Sequence, residues 1–460
     1  MTIWRPDLTR RQGPLYRRIV EALAEAVEAG TLPAGTRLPT HRDLAAGLGV
    51  TIGTVTRAYA EAERRGLVVG RVGSGTYVGT AEPAAGLPGT PEPVPGLLDL
   101  SFNGAADVHA GEVAAALAAL AARPDLAALL GYQADAGRPA HRAAGAAWLG
   151  RSGVDARPEQ VLVTSGGQHA LAVALATVAR PDDLVLAEAV TYAGVKALAS
   201  LLDLRLEGAA MDRDGLVPEA VEEACRRGPV RALYVIPTLQ NPTTALMPEA
   251  RRRRLAEICR RHDVVLIEDH VDGFLVADAP APLAAFAPER TFLLTSLSKS
   301  LAPGLRIGYM LAPEAYAARA AAVLRTLSWM SAPLMAEVAA LLVQDGTAAR
   351  IVEAHRREAR ARQRIAADVL TGASVETRPE AYHLWLHLPP PWRAADFAAR
   401  AREAGVAVAP AEVFAVDRAR APEAVRVALG VAPDRGALEG GLRVLARLLA
   451  APPAPYLPVL

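Results

Sequence analysis

Lysine is almost missing from this 460-residue chain: of its 50 Lys and Arg residues, only those at 196 and 299 are lysine. Positive charge has been handed to arginine, so a lysine that remains invites a reason specific to amines. An amine can lose its proton and form a Schiff base with an aldehyde; a guanidinium cannot. Cysteine is scarce too. Cys225 and Cys259 each lie in an arginine-rich helical pattern, which excludes a disulfide framework and offers no metal spacing. No charge-free apolar run is long enough to cross a membrane, and the start, Met1 to Asp7, does not read as a signal peptide, so a cytoplasmic location is expected. A net charge of +1 excludes a generally basic nucleic-acid coat.

What is present points to a globular chain of two or three domains, 52% hydrophobic with mean hydropathy +0.18 and rich in alanine. Its charge is uneven. Residues 1–80 hold eleven Arg against seven Asp and Glu, a local excess of four positive charges. Residues 81–97 carry five prolines and three glycines, which predicts a semi-extended linker between a small basic domain (1–80) and a large one (98–455). The proline-rich end from Pro452 to Leu460 reads as loosely attached.

The small domain is predicted to be α+β. Apolar positions at Leu15, Ile19, Leu23 and Val27 predict a helix over 15–29. Thr40, with Asp43 three residues on, can cap a short second helix. The turn Leu48-Gly49-Val50 follows, and a third helix starts near Thr51 with Val55, Tyr59 and Ala62 inward. Helix, glycine turn, helix is the pattern that places a recognition helix in the DNA major groove. Leu67 to Val78 reads as two short strands around a Gly-rich turn, a wing carrying Arg71. Arg37, Thr40, Arg42, Thr51, Thr54, Arg57 and Arg71 are the candidate DNA contacts. A helical interaction domain with a solvated arginine face fits the same pattern less fully. Residues 15–78 resemble the GntR-type winged helix, carried by Arg37-Leu38-Pro39-Thr40-His41-Arg42-Asp43-Leu44-Ala45, Thr54-Val55 and Gly73-Ser74-Gly75-Thr76-Tyr77-Val78.

The large domain alternates short apolar runs (161–164, 183–187, 232–236, 264–267, 291–295) with amphipathic stretches such as 248–262. That predicts βαβ units, a mostly parallel sheet covered on both faces, and ligands at the strands' carboxyl ends. A smaller α+β lobe is expected over 345–455, with 383–388 as a strand.

Lys299 lies in Ser296-Leu297-Ser298-Lys299-Ser300, followed by Arg306. Such a segment can hold a cofactor with both an aldehyde and a phosphate; alone, it equally reads as a surface lysine on a Ser-rich loop. Pyridoxal phosphate (PLP) also needs an acid at its ring nitrogen, a donor to its ring hydroxyl, an aromatic face, a phosphate cradle and a cation for the substrate carboxylate. Asp269 ends the run 264–267 and supplies the acid, or merely caps the next segment. Gly166, Gly167 and Gln168 form a Gly-rich strand-to-helix turn suited to an anion, although such turns are common. Ser296, Ser298 and Arg306 can complete the phosphate shell. Tyr192 can stack on the ring, Asn241 can donate to its hydroxyl or mark an ordinary Asn-Pro turn, and Arg426 can fork onto a carboxylate.

The order of these residues resembles a class I/II aminotransferase of the PLP-dependent fold type I, from about 98 to 450. That resemblance implies that Tyr132 reaches the phosphate of a partner subunit. Two positions depart from it. Asp272 stands where the family usually has tyrosine, and Thr244 where it usually has glycine. A carboxylate donates to a phenolate only when protonated, so Asp272 disfavours efficient transamination. Both halves together resemble the MocR/GabR-type transcriptional regulators. What that implies is a homodimer, PLP bound near its interface, an amino-compound effector or PLP as signal, and promoter DNA with paired half-sites. The alternative is an active aminotransferase with an accessory DNA-binding domain.

Overall fold

The computed structural model describes residues 4–8, 13–33, 35–64, 67–71, 75–78, 94–106 and 110–451. The expected linker up to residue 93 and the tail from 452 lie outside the described residues. The chain divides into two units, Met1–Gly89 and Thr90–Leu460.

The first unit has helices α1 (Leu15–Glu28), α2 (His41–Leu48) and α3 (Ile52–Arg64), then antiparallel strands β1 (Val68–Arg71) and β2 (Gly75–Val78). Each element has a visible cause. Ile19 and Leu23 of α1 meet Leu44 of α2 and Val55, Ala58, Tyr59 and Ala62 of α3 in one core. Thr40 caps α2: its Oγ1 accepts from the Asp43 N–H at 3.2 Å and donates to Asp43 Oδ2 at 2.7 Å. Gly49 ends α2 at φ 65°, the left-handed turn that glycine adopts freely. The Tyr59 hydroxyl ties α3 back to the Pro39 carbonyl at 2.9 Å.

The second unit is built on a seven-stranded sheet. Its strands are β3 (Val161–Thr164), β4 (Leu184–Glu188), β5 (Arg205–Ala209), β6 (Ala232–Val235), β7 (Val265–Asp269), β8 (Thr291–Leu294) and β9 (Gly308–Leu311), in the order β3-β9-β8-β7-β6-β4-β5. Only β9 runs against its neighbours. Alternate residues feed opposite cores. Leu162, Ala232, Tyr234, Ile267 and Phe292 face one way, against helix α4 (Gly167–Val178), and Leu233, Val235 and Leu266 face the other. Burial on both faces explains why these strands read as unbroken apolar runs. The sequence patterns missed β5 and β9. β5 is an edge strand with Arg205 and Gly208 exposed, and β9 opens on glycine and carries no β-branched residue.

Strands β10 (Ser374–Glu376), β11 (His383–His387), β12 (Ala409–Pro410) and β13 (Ala424–Ala428) form an antiparallel sheet in the order β10-β11-β13-β12. Leu384, Leu386, Val425 and Val427 share its core with Leu438, Leu442 and Leu445 of the last helix. Leu100 joins that core, and Leu98–Asp99 pair in parallel with Val406–Ala407, so residues 98–100 pack with a lobe expected only from 345. Among the described residues no helix is long and apolar enough to cross a membrane.

Gly308 ties the sheet to the turn after β3. A Cβ on it would lie 2.5 Å from the Thr295 carbonyl oxygen and 3.1 Å from the Gly166 carbonyl carbon. Gly308→Ala is therefore expected to destabilise the second unit by roughly 1–3 kcal/mol, read as a lower Tm by calorimetry. An unchanged Tm would show that the backbone gives way there at no cost.

Candidate functional site

The sheet brings distant segments to one end. The turn 165–167 follows β3, Tyr192 precedes helix α5 (Ala193–Leu201), Asp269 ends β7, and Ser296 to Lys299 follow β8. Lys299 Nζ donates to the Asn103 carbonyl, and the Tyr382 hydroxyl donates to the Lys299 carbonyl at 2.9 Å. Burial pulls the Lys299 amine down to about 8; Asp272 and Asp269 oppose this, and Arg426 adds to it. Asp269 accepts from the Tyr234 hydroxyl at 2.7 Å and the Val271 N–H at 3.0 Å. Burial pushes its carboxyl up to about 6, partly offset by those two bonds.

The Gly-rich turn, Ser296, Ser298 and Arg306 come together. Gly166 sits at φ 93°, and a Cβ there would fall 2.8 Å from Arg306 Nη2. A Cβ on Gly167 would be 3.4 Å from that of Ser296. Arg306 donates to Ser298 Oγ at 3.2 Å and to the Ser165 carbonyl at 3.2 Å. The Ser296 and Ser298 hydroxyls are 3.0 Å apart. Gln168 donates to the Gly194 carbonyl at 3.4 Å, and its buried Oε1 has no hydrogen-bond partner. Gly194 makes room for Tyr192, whose Cε1 would be 2.1 Å from an added Cβ. Burial, with Asp269 second, raises the Tyr192 phenol to about 12.

Arg426 of β13 is buried. Its Nη1 donates to Asn241 Oδ1 at 2.8 Å and its Nη2 to the Ser101 carbonyl at 2.6 Å, and it lies 4.6 Å over the Phe414 ring. Burial lowers it to about 10, against the pull of Asp272. Asp272 Oδ1 is buried without a hydrogen-bond partner; burial raises that carboxyl while Lys299 and Arg426 hold it down. Thr244 adopts φ 62°, which accounts for the family's glycine there. Tyr132 is 82% exposed and packs on Trp329, ring centroids 5.8 Å apart.

Sequence reasoning missed Tyr234, Asn103, Tyr382 and Phe414. Tyr234 had a findable signal, because it is the one polar-tipped residue of the fully buried β6 and pairs with Ile267, two residues before Asp269. Asn103, Tyr382 and Phe414 lie in loops whose approach to Lys299 and Arg426 is set only by the tertiary fold.

These groups fit PLP. An amine, a strand-end carboxylate and an anion cradle are in place, and the buried Asn103 Oδ1, Gln168 Oε1, Asp272 Oδ1 and Arg426 Nε lack protein partners.

In the first unit Arg42, Thr51 and Arg57 are exposed and Thr54 is half-buried. Arg57 lies 4.1 Å over the Tyr16 ring. Arg37 bridges to Tyr77 and packs by Gly75, where an added Cβ would be 3.1 Å from its Nε. Arg71 ends β1; its side chain lies outside the described residues.

Residues 96–442 match the aminotransferase class I and II family, and residues 15–78 the bacterial regulatory proteins of the gntR family. The chain is 30% identical to the uncharacterized HTH-type transcriptional regulator YdeF of Bacillus subtilis, over 97% of this chain and 96% of that one. It is 31% identical to the probable rhizopine catabolism regulatory protein MocR of Rhizobium meliloti, over 65% of this chain and 66% of that one. Among solved structures, LysN, an α-aminoadipate aminotransferase from Thermus thermophilus, superposes with a TM-score of 0.70 at 27% identity, covering 77% of this chain and 92% of that one.

Glu188 ends β4, accepting from the Thr191 hydroxyl at 2.8 Å and the Ile236 N–H at 2.9 Å, and burial raises it to about 7, with Asp269 adding to the rise. The folded chain thus holds this proton to higher pH than the unfolded chain does. Its contribution is most favourable at low pH and is lost as pH rises from about 4.5 to 7. Glu188→Gln, which has no proton to lose, is expected to gain in Tm relative to the parent between pH 5 and pH 8. An equal Tm difference at both pH values would contradict the assignment.

Proposed function

Because the chain belongs to the MocR/GabR-type transcriptional regulators, in which a gntR-family unit precedes an aminotransferase class I and II unit, we propose that it is a PLP-dependent DNA-binding regulator. It acts in the cytoplasm as a homodimer on promoter DNA with paired half-sites, and its large unit senses an amino compound or PLP. The setting of Lys299 carries this reading: a half-buried amine, lowered to about 8, within electrostatic reach of two carboxylates and in the same segment as the anion cradle's Ser296 and Ser298.

Lys299 would meet the aldehyde, Asp269 the ring nitrogen and Asn241 the ring hydroxyl. Tyr192 would lie against the ring. Gly166, Gly167, Gln168, Ser296, Ser298 and Arg306, with Tyr132 from a second copy, would surround the phosphate. Bound there, PLP supplies an aldehyde and an electron-withdrawing ring.

The chain's own residues set the proton positions. Lowering Lys299 leaves more of its Nζ unprotonated at neutral pH, the form that attacks a carbonyl. Tyr234 and the Val271 N–H favour ionised Asp269, which holds a proton on the ring nitrogen. Asp272 works the other way on Lys299, raising its proton affinity. That opposes the proton transfers of turnover and favours sensing. Arg426 keeps Nε free for an effector carboxylate while its other nitrogens hold Asn241 and Ser101. Exposed Leu130, Tyr132, Leu327 and Trp329 support a second copy packing on the large unit.

PLP-loaded protein titrated with a panel of amino acids tests the reading. Visible absorbance, released 2-oxo acid and promoter affinity are followed together. A saturable spectral change with altered promoter affinity and no stoichiometric oxo acid is expected. Oxo acid released at every cycle, with promoter affinity unmoved, would install the aminotransferase alternative.

Lys299→Ala is expected to remove all borohydride-trappable attachment of PLP while leaving the fold intact by circular dichroism. In the parent, the rate of PLP capture should rise with pH and level off near pH 8. A rate still climbing to pH 10, or adduct in the variant, would refute the assignment.

A further inference from the structure

Large apolar side chains scattered singly on a surface need no explanation. Ile52 is different because of where it stands and what surrounds it. It is the first residue of α3 and is 50% exposed, whereas Val55, Ala58, Tyr59 and Ala62 further along the same helix are buried. The N-terminal residues of a recognition helix are the ones that meet base edges.

The polar groups beside it already have partners within the unit. The Thr51 and Thr54 hydroxyls are 2.9 Å apart, and Thr51 Oγ1 also accepts from the Thr54 N–H at 3.2 Å. Thr56 Oγ1 meets His41 Nδ1 at 3.2 Å. Arg57 lies over the Tyr16 ring, 4.1 Å from its centroid, with the Tyr16 hydroxyl 3.5 Å from Nη2. Residues 51–54, Thr-Ile-Gly-Thr, contain no Arg, Lys, Asn or Gln, the side chains that read purines by paired hydrogen bonds. What this turn offers a base edge is an apolar surface, and the apolar feature of the major groove is the thymine methyl.

Gly53 supports the same contact. Within 4 Å, a Cβ on it would meet only Thr51 Oγ1, at 3.8 Å, so packing within the domain does not require glycine. Glycine in a helix weakens it, and close approach of the backbone to a ligand is a physical reason to keep it. The unit's excess of four positive charges over residues 1–80 complements a duplex.

We propose that Ile52 reads the 5-methyl group of thymine, so that each half-site requires an A·T pair where the first turn of α3 enters the major groove. Arg57, held on Tyr16, contacts the phosphate backbone and does not read bases. This rests on the DNA-binding reading above and adds the base class that it recognises.

The test starts with full-length protein and selection from a random duplex library. In the selected duplex, each thymine is then replaced by deoxyuridine, which removes only the methyl. One buried methyl is worth roughly a fourfold change in affinity. Deoxyuridine at that position in one half-site should therefore weaken binding about fourfold, and in both half-sites about sixteenfold. Ile52→Ala should lose that discrimination and bind the two duplexes equally. Gly53→Ala should raise the Tm of the first unit and yet weaken binding. Arg57→Ala should weaken binding to every sequence alike. Selected DNA whose affinity ignores deoxyuridine at every position overturns the inference and leaves the regulator reading standing. Failure to enrich any sequence overturns both.

Discussion

Lys299 stands where a fixed positive charge is costly, and its surroundings compensate only in part. Burial and Arg426 drive the proton off the amine, while Asp272 and Asp269 draw it back. The balance leaves an amine lowered to about 8, and it depends on groups from segments near 100, 270, 300 and 426. A mostly parallel sheet makes that possible by delivering separate strand ends to one place. The buried glycines at 166 and 308, the antiparallel strand β9 and the tyrosine under Asp269 all serve this convergence.

Two chemistries share the chain without sharing residues. In the first unit, α1 to α3 build a small core that exposes one face of α3. In the second, polar groups are gathered inward. For the proposed regulator to work, a change at Lys299 must alter how two copies of α3 meet paired half-sites.

Much of this was legible in the sequence, and the limits are physical. Local rules found α1, α2 and α3 because capping by Thr40 and the turn at Gly49 involve near neighbours. The buried strands β3, β6, β7 and β8 appeared as apolar runs because both of their faces are covered. Lys299 stood out through the scarcity of its residue type, and Arg306, Ser296 and Ser298 lay beside it. Tyr234 and Asn103 did not stand out, since their approach to Asp269 and Lys299 exists only across strands or between distant loops. The strand β9, which opens on Gly308 and has no β-branched residue, and the half-exposed edge strand β5 carry too little pattern to be read alone. Arg426 was found, but its bonds to Asn241 and Ser101 became visible only in the folded chain.

The central claim is that the state of Lys299 governs DNA binding. The most direct measurement is promoter affinity of the parent and of Lys299→Ala, each with and without PLP, at one salt concentration. The account predicts that PLP changes the affinity of the parent and leaves that of the variant unchanged, while both proteins remain folded dimers. Equal responses to PLP in the two proteins, or none in either with PLP bound to the parent, would contradict it.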